Sequence, residues 1–72
     1  MNADVFQATI EYYKSLRHIT TNEKLRKHTT VGSNATFGKY LKNPDLMPIG
    51  VFEQIMDSLN VPKADRFKSF DD

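Results

Sequence analysis

The 72-residue chain contains no cysteine, only three prolines, three glycines and two histidines, and no long apolar run. Without cysteine, neither a disulfide nor a thiolate zinc site can brace the fold. His18 and His28 lack the partners a metal site needs, so no metal and no cofactor are expected. Gly32, Gly38 and Gly50 are scattered, which excludes a Gly-rich phosphate loop. No apolar stretch approaches a membrane span and no signal-peptide pattern opens the chain, so the expectation is a cytoplasmic protein with no membrane partner. A chain this short forms one domain with a marginal core, and its stability rests on apolar packing.

Catalysis finds little support. Ser15 lies close to His18, but a hydroxyl beside a histidine on a helix is common by chance, and no orienting acid completes the set. The acidic residues form no pair with a reason to sit in a buried site. Domains of this size rarely enclose a pocket of the usual ligand volume, so the chain is read as a non-enzyme without a small-molecule substrate.

What is present is an uneven charge distribution. The formal net charge is only +1, yet residues 14–42 hold seven basic side chains against Glu23 alone. Lys14, Arg17, Lys24, Arg26, Lys27, Lys39 and Lys42 make that stretch +6, while residues 1–13 carry −2 and residues 43–72 carry −3. A basic centre between acidic ends suits a face for an anionic partner. It also suits a solvated helix face, and charge alone does not choose between them.

Apolar periodicity predicts an all-α chain of four to five short helices. Asn2 or Asp4 caps a first helix over about 3–17, with Phe6, Ile10, Tyr13 and Leu16 or Arg17 on one stripe. Thr20 or Thr21 caps a second over about 21–29, anchored by Leu25, with Glu23 near its positive end. In "TTVGSN" three β-branched residues, then Gly32, interrupt the helix, and Ser33 or Asn34 caps the next. That third helix runs over about 34–42, with Phe37, Tyr40 and Leu41 inward, and Pro44 stops it. Leu46 is expected to tuck inward. Pro48 starts a broad-striped core helix over about 48–59, carrying Val51, Phe52, Ile55, Met56 and Leu59. Residues 63–70 form one or two further turns, and Asp71 and Asp72 are expected to fray.

A helix, a tight turn and a basic helix make a plausible DNA reader. Ser33, Asn34, Thr36, Lys39 and Lys42 form the outward face of the third helix. Asn pairs with adenine, Thr touches a thymine methyl, and Lys reaches guanine or phosphate. Asn34 serves equally well as a cap or a base reader. Thr21, Asn22, Lys24 and Lys27 of the second helix would lie across the phosphate backbone.

From about Thr20 to Pro62 the order of these features resembles the lambda-repressor/Cro-type helix-turn-helix family. "TTNEKLRKHTT" is similar to its scaffold helix, "SNATFGKYLKN" to its recognition helix, and "PIGVFEQIMDSLNVP" to the core helix that follows, ending in Leu59-Asn60-Val61. Three features depart from that family: Arg26 stands where a small residue usually follows the scaffold leucine, the turn is about one residue longer, and Gly38 interrupts the recognition helix. The chain also resembles the small modulator-of-repression proteins of temperate phages. That likeness implies a regulator of a lysis/lysogeny switch in a bacterial host cell. It would bind double-stranded DNA and act with or against a CI-type repressor, as a hetero-complex or as a homodimer. The alternative it implies is an antirepressor that binds the repressor protein directly. Asp45, Glu53, Asp57 and Asp65 would then meet a basic partner, with Met56, Phe67 and Phe70 as apolar anchors. At least one of Phe67 and Phe70 is expected to fold back onto the core.

Overall fold

Fourteen residues with an i, i+4, i+7 apolar stripe open the fold as helix α1, Ala3–Leu16. In this computed structural model, which describes residues 1–70, the chain continues as α2 (Asn22–Arg26), α3 (Asn34–Lys42), α4 (Ile49–Ser58) and α5 (Lys63–Arg66). Single 3-10 turns at Pro44–Leu46 and Lys68–Phe70 follow α3 and α5. The described residues form an all-α domain without strands. Asp71 and Asp72, expected to fray, lie outside the described residues.

Local chemistry sets the helix starts. Asn2 caps α1 by accepting from the Val5 amide, Thr21 caps α2 through Lys24, and Ser33 caps α3 through Thr36. α1 and α4 both stop on a residue in the left-handed region. His18 (φ 58°) follows α1 and Asn60 (φ 52°) follows α4, each letting the chain fold back so that later amides reach the last carbonyls. Arg17 closes the end of α4 from outside, donating to the carbonyls of Leu59 (2.8 Å) and Asn60 (3.1 Å). It thereby satisfies C-terminal groups that α4 leaves open.

The core gathers Phe6, Ile10 and Tyr13 of α1, Leu25 of α2, Phe37 and Leu41 of α3, and Val51, Phe52, Ile55 and Met56 of α4, with Leu59 and Val61 beyond. Each helix contributes because its apolar residues recur at helical spacing. The C-terminal turn lies over α1, joined by the Asn2 amide donating to the Ser69 carbonyl (2.6 Å) and by the Tyr13 hydroxyl donating to Asp65. Arg66 adds a link to Asp57 (2.8 Å) and to the Val61 carbonyl (2.9 Å).

Four expectations change. Met56 is 1% exposed, deep in the stripe of α4, and is therefore unavailable as a surface anchor for a partner. Leu46 points outward at 55% exposure, and Pro44 takes the buried place beside α3. Leu16 is exposed as well, because Tyr13 and Lys14 complete the inner side of α1. The second helix is shorter than 21–29. The Thr29 hydroxyl donates to the Arg26 carbonyl, and the amides of His28 and Thr29 bond three residues back, which draws 27–30 out of the α-helix.

Asp65 holds the C-terminal turn, and its charge makes that hold sensitive to pH. Its carboxylate lies below its ordinary value of 3.8, first through Lys68 and then through Tyr13. Tyr13 is raised above 10.0, chiefly by the same carboxylate. The depressed carboxylate contributes stability that is present above about pH 3.8 and lost as pH falls through its folded value. The raised hydroxyl contributes stability present below pH 10.0 and lost as pH climbs through its folded value. In thermal melts across pH, Asp65→Asn is expected to lower Tm at neutral pH and to shrink both the acid and the alkaline losses. A second expectation concerns Gly38, where an added Cβ meets no atom within 4 Å. Gly38→Ala should raise the unfolding free energy by about 1 kcal/mol in urea titration.

Candidate nucleic-acid interface

α3 has two inward residues, Phe37 and Leu41, with Tyr40 packed partly against the same core. At about 100° per residue that inner stripe fixes the opposite side. Ala35, Lys39 and Lys42 are exposed there, Ser33 and Asn34 are exposed at the start of the helix, and Thr36 is half-buried at the edge toward α4. α2 packs against α3, with Thr21, Asn22, Lys24 and Lys27 exposed.

Three sets of hydrogen bonds fix how α2 and α3 meet. Arg26 spans the turn, donating from Nε to Asn34 Oδ1 and from Nη1 to the Val31 carbonyl (2.9 Å). The turn is tied to α4 by Gln54 Oε1, which accepts from the Thr30 amide (3.0 Å) and hydroxyl (3.3 Å). At the other end of α3, Gln7 Nε2 donates to the Leu41 carbonyl (3.1 Å) and fastens the helix to α1. Arg26 thus has a structural role that its position in the sequence did not signal: its guanidinium bridges the turn between α2 and α3.

The basic residues divide by function. Lys14, counted in the basic centre, is 6% exposed, and its ammonium donates to Asn22 Oδ1 (2.7 Å) and to Glu11 (3.2 Å). It is lost to the surface because α1 turns it toward the start of α2. Arg17 is taken up by the end of α4. Among the described residues, Lys24, Lys27, Lys39 and Lys42 make no ion pair, so their charges face solvent together with the rest of the α2–α3 surface. Such a surface raises the local concentration of an anionic partner.

The residues expected to meet a protein partner fall on other sides. Asp45 accepts from the Met1 amino group (3.1 Å) and Asp57 pairs with Arg66 (2.8 Å). Asp65 is engaged by Tyr13 and by Lys68 (2.8 Å). Glu53 is exposed, with no ion pair among the described residues. Phe67 and Phe70 are 51% and 46% exposed, each with its other side against Phe52 at centroid separations of 6.0 and 5.5 Å. Both therefore fold back onto the core and still show an apolar face. His18, close to Ser15 in sequence, follows the end of α1 in the left-handed region.

Among the described residues no group of three or more His, Asp or Glu is placed to hold a metal ion, and no helix is long and apolar enough to cross a membrane. Comparisons with protein-family models, curated proteins and solved structures find no match to this chain.

The cap that starts α3 also sets where its outer face begins. Ser33→Ala removes the acceptor for the Thr36 amide and is expected to destabilise the fold by about 1 kcal/mol in urea titration. Ser33→Asp, which keeps an acceptor there, should recover most of that loss.

Proposed function

We propose that the chain is a helix-turn-helix transcription regulator that binds double-stranded DNA, with α3 in the major groove and α2 across the backbone. The observation that carries this reading is the set of four unpaired lysines on the face formed by α2 and α3, the opposite side of α3 being locked in the core. A recognition helix needs this division, since one side must anchor it while the other reaches base edges and phosphates. The helix–turn–helix order and the sequence's resemblance to Cro-type and modulator-of-repression proteins support a proposed role in a phage lysis/lysogeny switch, in a bacterial cell, alongside a CI-type repressor.

A second reading is favoured by Phe67 and Phe70. Two half-exposed aromatic rings on one small surface are an apolar patch of the kind that anchors protein partners. On that reading the chain is an antirepressor that covers the repressor's DNA-reading surface, with Glu53 and Asp57 facing its basic groups. The two surfaces are separate, so one molecule has room for both contacts.

Fluorescence anisotropy with duplex DNA flanking the coding sequence, against scrambled DNA of equal length, tests the first reading. Specific binding is expected, falling with salt at a log–log slope of about −3 to −4 when each of the four lysines meets a phosphate. Lys42→Ala should flatten that slope by about 1 and Lys39→Ala should weaken binding further. Equal, salt-insensitive binding to both duplexes would reject it. For the second reading, Phe70→Ala is expected to weaken capture of the repressor while leaving the DNA titration unchanged.

A further inference from the structure

The face on α2 and α3 is built almost wholly of hydrogen-bond donors, and internal contacts make it so. Asn34 Oδ1 accepts from Arg26 Nε, and Asn22 Oδ1 accepts from the buried Lys14 ammonium. Each asparagine carbonyl is therefore turned back into the protein, leaving its Nδ2 donor as the outer end. Ser33 Oγ accepts from the Thr36 amide and Thr21 Oγ1 from the Lys24 amide, so both hydroxyls have their protons left to give outward. Lys24, Lys27, Lys39 and Lys42 donate by nature.

A donor surface reads acceptors. The two-bond pairing of asparagine with adenine needs Oδ1 and Nδ2 side by side on the base, the carbonyl accepting from N6 and the amide donating to N7. With one lone pair of Oδ1 taken by Arg26 and the carbonyl turned toward it, that side-by-side pairing is disfavoured for Asn34. Guanine offers two acceptors in the major groove, O6 and N7, and no donor that an occupied carbonyl would fail to meet. We propose that Arg26 sets the base preference of α3: by holding Asn34 Oδ1, it makes Asn34 a reader of guanine and not of adenine. This rests on the DNA-binding reading above and adds to it a positioning residue and a preferred base.

The experiment selects bound sequences from a randomised duplex pool with the wild-type protein, Asn34→Ala, Asn34→Asp and Arg26→Leu. Asn34→Ala identifies the base position that Asn34 reads, as the one whose preference disappears. At that position the wild type should select guanine. Arg26→Leu, checked for folding by circular dichroism, should shift the adenine-to-guanine ratio toward adenine by roughly 5- to 150-fold, the discrimination of one bidentate pair. Asn34→Asp keeps the Arg26 contact and removes the donor, so it should lose the guanine preference even where Arg26→Leu fails to fold. Adenine selected by the wild type, or the same base selected by a folded Arg26→Leu protein, would overturn the proposal.

NMR of the free protein separates its failure from that of the parent reading. The Arg26 Nε–H signal should be protected from exchange in the wild type and lose that protection in Asn34→Ala. Protection without any sequence selected would show that DNA reading itself fails. Sequence selection without protection would show that the Arg26 contact alone fails.

Discussion

Burial of Phe37 is the constraint on which the rest of the α2–α3 surface depends. Its ring is 1% exposed among residues of α1, α2 and α4, and it fixes the rotation of α3 about its own axis. Once Phe37 and Leu41 point inward, Lys39 and Lys42 point out, while Asn34, three residues before Phe37, reaches solvent because it stands in the first turn of α3. The candidate reading face is thus a consequence of core packing. A large-to-small change at Phe37 typically costs about 3–5 kcal/mol, a large part of the stability of so small a domain. With no cysteine to brace the chain, few other interactions are in a position to replace it.

A second layer of order comes from cations turned inward. All three arginines donate to backbone carbonyls: Arg17 at the end of α4, Arg26 in the turn before α3, and Arg66 at Val61. The guanidinium suits that work because its planar fork reaches two acceptors at once. Lys14 joins them as a buried strut between α1 and α2. The four lysines of α2 and α3 stay in solvent, where a flexible ammonium is suited to phosphates. A nearly neutral chain thereby keeps one cationic face, because its arginines are spent internally while its acidic residues lie mostly on α1, on α4 and toward the C-terminus.

Much of the fold was legible in the apolar spacing. The stripes of α1, α3 and α4, the caps at Thr21 and Ser33, and the stop at Pro44 follow from local rules that act within one turn of helix. What was not legible depends on contacts between elements and across turns. Nothing local distinguishes Lys14 from Lys24, yet one meets Asn22 under α2 and the other meets solvent. Leu46 reads as a core residue by hydropathy, but the turn at Pro44 buries the proline in its place. Arg26 reads as a departure from the expected small residue, and only the path of the turn shows that its guanidinium compensates by holding Val31 and Asn34. Phe67 and Phe70 lie between the two expectations, packed against Phe52 and still half-exposed. Among the candidate DNA-reading residues, Lys39 and Lys42 could be listed from spacing because the inward stripe determines them, and Ser33 and Asn34 from the cap that starts the helix.

The most direct test of the central claim is NMR chemical-shift mapping of the labelled protein titrated with a short duplex DNA at low salt. The account predicts that the perturbed amides cluster at residues 21–27 and 33–42, fade as salt is added, and leave 63–70 unmoved. Perturbation centred on Phe67 and Phe70, or no perturbation by duplex DNA at all, would contradict it.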